Sequence, residues 1–224
     1  EYWQNSDRDV EILVTVDLPS VGGLHTTSYR VWGDGQMEVG GALSLPQADL
    51  PDLPKYGLTL LLPPELGEVS WFGRGPHETY SDRKSGAKIG TYRTSVEELF
   101  FPYIRPQETG NRTDARWVTL TGDTGGGVLV VADSVMEFSA LFFTDSDLDE
   151  GTEPTYRHVW DLEPKDHVVL DLDLKQMGVG GDTSWGARPH PEYRLGPENH
   201  QFRIRFLPFD ATSEEPEVLI RQRW

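Results

Sequence analysis

The chain contains no cysteine. Disulfides, thiolate metal sites and thiol nucleophiles are therefore excluded from its chemistry. Long apolar runs are also missing. The longest, "GLTLLLPPEL", is short and broken by prolines, far below the roughly 18 residues of a membrane span. Basic residues are few: 20 Lys and Arg stand against 37 Asp and Glu, for a net charge of −17. That balance argues against nucleic acid and anionic membrane surfaces, which are held by basic patches. Helical periodicity is scarce too. The one candidate is "SVEELFFPYI" (95–104), with Ser95 as N-cap, Glu98 at the capping-box position and Pro102 to end it.

What is present is alternation. "VEILVTVDLP", "TSYRVWGDGQMEVGGAL", "VSWFG", "ARWVTLTG", "GVLVVA", "MEFSALFF", "HVVLDLDLKQM" and "HQFRIRFLPF" place apolar residues at every second position. This is the period of strands with one buried face. Gly33-Asp34-Gly35 between two such runs is a hairpin signal. Sixteen prolines and 23 glycines punctuate the 224 residues. The expected fold is all-β and antiparallel, with two large sheets face to face. One domain is expected over residues 1–208, with 209–224 as a tail or an extra edge element. The chain opens on Glu1 without an initiator methionine. The expectation is a processed chain, or a piece of a longer one, in the cytoplasm.

Four clusters carry candidate chemistry. "WFGRGPHETYSDRKSGAKIGTY" gathers His77, Glu78, Asp82 and Arg83 in an irregular loop. Such a loop presents acid, base or sugar-binding groups, or is held by its own Arg–carboxylate pairs. "FPYIRPQETGNRTDARW" sets Asn111 and Arg112 beside Gly110, as sugar ligands or as a buried polar network. "FTDSDLDEGTEP" alternates Asp145, Asp147, Asp149 and Glu150 but lacks the glycine and glutamate positions of a calcium loop, so it reads as a solvated acidic loop. The histidines form no HxH or HxxxH pair, and no metal site is expected. In "GVGGDTSWGARPH" (178–190), no helix-opening GxGxxG or GK[ST] pattern supports phosphate binding. Gly180 and Gly181 call for positive φ or a close backbone approach. Trp185 caps the core or lies exposed as a platform for a sugar ring, and the residues alone leave both open.

Taken in order, "SYRVWGDGQMEV", "WFGRGPHETYSDRKSGAKIGTY", "PYIRPQETGNRTDARWVTLTG" and "KQMGVGGDTSWG" resemble the C-terminal domain of glycoside hydrolase family 2 β-galactosidases, and the small subunit of their heterodimeric forms. The resemblance covers residues 10 to 208. It implies a β-supersandwich related to the galactose mutarotase fold. It also implies that both catalytic glutamates sit on a (β/α)₈ barrel elsewhere in the parent enzyme, since retaining hydrolysis needs two carboxylates about 5 Å apart. No segment here matches the barrel motifs, so no catalytic residue is expected in this chain.

By the same resemblance Trp185 stacks on the sugar of a β-galactoside such as lactose. Gly180, Gly181, Asp182 and Ser184 shape its loop. "GRGPHETY" and "PQETGNR", with His77, Glu78, Asn111 and Arg112, are landmarks with a mainly structural role. The partners implied are the barrel and further subunits of an oligomeric parent. The Mg and Na ions of such enzymes lie in other domains, so no cofactor is expected here. The family domain begins upstream of Glu1, with a segment that contributes to a mobile active-site loop. Two other readings of the residues are a stand-alone carbohydrate-binding module and a mutarotase-like epimerase using His77 or His158.

Overall fold

The computed structural model describes residues 1–224 except 7, 47–48, 150–156, 184 and 223–224. Eleven strands dominate it: β1 (Tyr2–Ser6), β2 (Asp9–Leu18), β3 (Gly23–Trp32), β4 (Met37–Ser44), β5 (Lys55–Leu62), β6 (Glu68–Gly75), β7 (Lys88–Ser95), β8 (Arg112–Thr121), β9 (Gly126–Leu141), β10 (Val168–Gln176) and β11 (His200–Asp210). Helices are short: α1 (Val96–Leu99), α2 (Asp145–Leu148) and α3 (Pro216–Gln222), with 3₁₀ turns at Val159–Asp161 and Pro191–Tyr193. Every strand pairing is antiparallel. The all-β, antiparallel expectation is met.

The hydrogen-bonded order is β1-β2-β3-β4-β11-β9-β8-β6-β7, with β10 beside β9 and β5 beyond β10. The 16-residue β9 makes this one sheet serve as two layers. Its first half pairs with β11, from Gly126↔Asp210 to Ala132↔Ile204. Its second half pairs with β10, from Glu137↔Asp173 to Leu141↔Val169. Asp133, Ser134 and Val135 lie exposed between the halves. The neighbouring β8 shifts register twice between Arg112 and Trp117, and Asp114 there holds a φ of 55°. The sheet bends where β8 and β9 bulge together.

The folded layers share one core. Val39, Phe202, Ile204 and Trp71 from the first layer join Phe138, Leu170 and Leu172 from the second. Trp71 and Phe138 meet edge to face at 5.8 Å. Each large aliphatic side chain buried here contributes roughly 1.5–3 kcal/mol. A smaller cluster outside the first layer holds Trp117, Leu129, Leu207, Phe209 and Leu219. Leu219 lies on α3, which packs into this cluster, and β11 ends at Asp210.

The structure corrects the sequence in a few places. "HVVLDLDLKQM" is buried on both faces, because Asp171 and Asp173 on its polar face are as covered as Leu170 and Leu172. The acidic run forms a short helix rather than an open loop over its described part, with Asp145, Ser146 and Asp149 exposed as expected. Thr144 and Asp147 make a reciprocal capping box on α2, Asp147 pairs with Lys165 at 2.8 Å, and Asp145 pairs with Lys55 at 2.9 Å. Glu150 lies outside the described residues. The Gly33-Asp34-Gly35 hairpin and the Ser95 cap form as expected: Gly35 takes a φ of 87°, and the Ser95 hydroxyl accepts the Glu98 N–H.

Candidate functional site

Three loops at the ends of β6, β8 and β10 meet on one side of the second layer. The β6–β7 loop (76–87) carries His77, Glu78 and Asp82. The segment before β8 (100–111) carries Tyr103, Glu108 and Asn111. The loop after β10 (177–190) carries the glycines and Trp185.

Trp185 is 92 % exposed. Of the two readings left open by the sequence, the solvent-facing one is observed. The loop beneath it is fixed by contacts that demand glycine. Asp82 accepts the backbone N–H of Gly180 at 2.7 Å and of Val179 at 3.3 Å. A Cβ on Gly178 would sit 2.5 Å from Asp82 Oδ2, and one on Gly181 would sit 2.2 Å from the Ala187 carbonyl oxygen. Close approach, not positive φ, is what Gly180 and Gly181 supply. The positive φ of this loop belongs to Gly186, at 88°.

The far side of the loop closes on itself. Asp182 and His190 Nε2 are 2.8 Å apart, and this hydrogen bond raises the histidine pKa. The Trp185 N–H donates to Thr183 Oγ1 at 3.3 Å. Ser184 lies outside the described residues. The exposed indole presents an apolar, quadrupolar face to solvent, which suits stacking on an apolar or C–H-rich surface.

The other sequence candidates divide by burial. His77 is exposed. Glu78 points inward, where it accepts from Arg83, from the Tyr103 hydroxyl, from Thr109 Oγ1 at 3.3 Å and from the Gly110 N–H at 2.9 Å. Asn111 and Arg112 are 1 % and 3 % exposed. The Asn111 amide donates to the Thr79 carbonyl at 3.0 Å and to Glu137 at 2.8 Å. Arg112 donates to the carbonyls of Pro76 and Gly110 at 3.1 and 2.9 Å. Burial pulls its pKa down to about 10. These contacts tie the β6–β7 loop to the start of β8.

Sequence reading missed a second polar group below these loops. Asp171, Asp173 and Glu108 lie around the Lys55 ammonium, which donates to Asp171 at 2.8 Å and to Asp145 at 2.9 Å, and Glu137 lies beside Asp173. Burial pushes Glu137 up to about 7 and Asp173 well above the carboxylate range. Burial also raises Glu108, which accepts from Tyr80 at 3.2 Å. A crevice of about 730 Å³ opens beside it, lined by Lys55, Glu108, Asp145 and Gln176 among others. The one signal in the sequence was acids inside strong strand patterns, which normally mark a solvent face. Among the described residues no group of three or more His, Asp or Glu is placed to hold a metal ion.

Comparison with known proteins settles the family. The model of the family described as "Beta galactosidase small chain" matches residues 2–206. The chain belongs to the β-galactosidase small-chain family. It is 38 % identical over 186 residues to a β-galactosidase of Priestia megaterium, which covers 82 % of this chain and 17 % of that protein. It is 40 % identical over 176 residues to a β-galactosidase of Vibrio cholerae, covering 79 % and 16 %. With the enzyme of Lactobacillus delbrueckii subsp. bulgaricus the figures are 37 % over 209 residues, 89 % and 19 %. The small-chain domain thus spans less than a fifth of these relatives. Among solved structures, it resembles a GalM/aldose epimerase homologue from C. elegans at a TM-score of 0.44 and 10 % identity, covering 94 % of this chain and 68 % of that one. No helix of the described residues is long and apolar enough to cross a membrane.

Proposed function

We propose that this small-chain domain completes the substrate pocket of a retaining β-galactosidase and performs no bond cleavage itself. The observation that carries the reading is Trp185: a large aromatic, almost wholly exposed, on a loop whose backbone is pinned by Asp82. Leaving an indole in water without a partner is unfavourable. A sugar held by a catalytic barrel from elsewhere in the parent supplies that partner, and the indole face stacks on its C–H groups.

The two carboxylates of retaining hydrolysis are assigned to that barrel. Glu78, Asn111 and Arg112 serve the frame of the site, since their polar atoms are engaged within the protein. His77, exposed at the tip of the neighbouring loop, is a candidate for the rim. The bound substrate is a terminal β-galactoside such as lactose, the parent is oligomeric and cytoplasmic, and metal ions belong to its other domains.

Lactose added to the isolated chain tests this division of labour. The expected result is no release of glucose and no saturable change in tryptophan fluorescence. Turnover would overturn the non-catalytic assignment. Saturable binding without turnover would make the chain a stand-alone carbohydrate-binding module.

A further inference from the structure

The loop that carries Trp185 is held unevenly. Its base is secured through the backbone. The Met177 N–H donates to the Pro54 carbonyl at 2.8 Å, and the Gly178 N–H to the Tyr193 carbonyl at 2.8 Å. On the returning limb, Arg194 Nε donates to the Pro189 carbonyl at 2.7 Å, and Arg188 pairs with Asp52 at 3.1 Å. Asp82 then takes the Val179 and Gly180 N–H groups. The tip beyond Gly180 is different. Among the described residues of 181–187, the Trp185 N–H reaches only Thr183, within the tip itself. One side-chain bond crosses from the tip to the returning limb: Asp182 Oδ1 lies 2.8 Å from His190 Nε2. The limbs already touch beside it, since a Cβ on Gly181 would sit 2.2 Å from the Ala187 carbonyl oxygen.

Asp182 and His190 thus close the neck of a short segment with Trp185 inside it. Joining the ends of a segment removes conformations of everything between them. The strength of this tie depends on charge. A hydrogen bond between an imidazolium and a carboxylate is stronger than one from the neutral ring, and histidine is the side chain that changes charge near neutral pH. The Asp182 and His190 side chains are 79 % and 53 % exposed, so water and salt weaken the pair without abolishing it. The charges facing His190 are Asp182 from the tip, with Glu192 and Arg194 from its own turn. The bond to Asp182 acts most strongly and raises the histidine above 6.5, Glu192 adds to it, and Arg194 opposes it. A histidine raised in the closed tip favours closure fully below 6.5. It loses that contribution as pH rises through the raised value.

We propose that His190 is a positioning residue for Trp185: by holding Asp182 across the neck of the loop it sets the indole against substrate, more firmly as the imidazolium than as the neutral ring. Asp82 fixes where the loop stands, and His190 fixes how its tip is closed. The inference rests on the reading of Trp185 as a wall of the substrate pocket.

His190→Gln keeps a neutral donor and removes the cation. Asp182→Asn, as a second variant, removes the anion. Each is made in the intact β-galactosidase that contains this chain and compared with wild type and with Trp185→Ala. KM and kcat for lactose are measured at pH 6 and pH 8, and hydrogen exchange over residues 181–189 is followed at pH 6. The expected result at pH 6 is faster exchange in both variants and a KM raised about two- to fivefold, the scale of an exposed ion pair. The ratio to wild type falls toward one at pH 8, with kcat little changed. Equal exchange and equal KM at pH 6 would overturn the proposal. A KM ratio identical at the two pH values would also overturn it, because a merely structural role does not follow the charge on His190. A KM raised by Trp185→Ala but by neither variant would overturn the positioning role and leave the functional reading standing. An unchanged KM in Trp185→Ala, with exchange still quickened in both variants, would support the tie between His190 and the tip and fail the functional reading.

Discussion

The Gly180 N–H donates to Asp82 Oδ2 at 2.7 Å, across 98 residues of sequence. This bond joins the loop that carries Trp185 to the loop that carries His77 and Glu78. Gly178 lies against the same carboxylate, too close for any side chain. Asp82 is thus the post on which the tryptophan loop is hung.

Asp82→Ala removes an ionised acceptor from two backbone N–H groups. A hydrogen bond to a charged group contributes about 1.5–3 kcal/mol, with exposed examples at the low end. The expected outcome in the intact enzyme is a raised KM for lactose with kcat little changed. Asp82→Asn, which keeps an acceptor oxygen, recovers part of the loss. Steady-state kinetics on both variants checks this, and thermal unfolding of the isolated chain should shift by only a few degrees.

Gly181→Ala and Gly186→Ala separate two roles of glycine. At Gly181 the added Cβ meets a backbone carbonyl at 2.2 Å, so the loop must move. At Gly186 no atom lies within 4 Å of the added carbon, and the cost is the left-handed φ alone, about 1 kcal/mol. The first variant is expected to disorder the loop, and the second to retain it. Hydrogen exchange over residues 177–190 distinguishes them.

Glu137 makes stability depend on pH in an unusual direction. Burial raises its folded pKa from 4.5 to about 7. A carboxyl raised on folding favours the fold while it is neutral, so its contribution is full below about pH 4.5 and is lost as pH rises through about 7. The shift corresponds to a term on the order of 3 kcal/mol. Urea unfolding of wild type and Glu137→Gln at pH 5 and pH 8 tests the sign. The variant should lose less stability between the two pH values than wild type. An equal or greater loss in the variant would remove Glu137 as the cause.

Most of the strand plan was legible because alternation survives wherever one face meets the core. It failed where the chain departs from that condition. "GVLVVA" and "MEFSALFF" read as two strands, because the exposed Asp133 and Ser134 at the bend of β9 look like a break. β5 hid in the leucine run "LTLLL", which has no polar alternation. β1, "YWQNS", is an edge with little apolar content. The glycine loop was legible as a frame for Trp185, but not its anchor: no local spacing links Asp82 to Gly180. The Lys55 group stayed hidden for a related reason. Asp171 and Asp173 follow the rule for a solvent face, and only the tertiary fold covers them.

The most direct test of the account is the Trp185→Ala substitution in the intact β-galactosidase, with KM and kcat for lactose measured against wild type. Stacking contributes roughly 0.5–1.5 kcal/mol between aromatic pairs, which sets the scale here. The account predicts a KM raised several-fold with chemistry retained. A KM equal to that of the wild type would contradict the assignment of Trp185 as a wall of the substrate pocket.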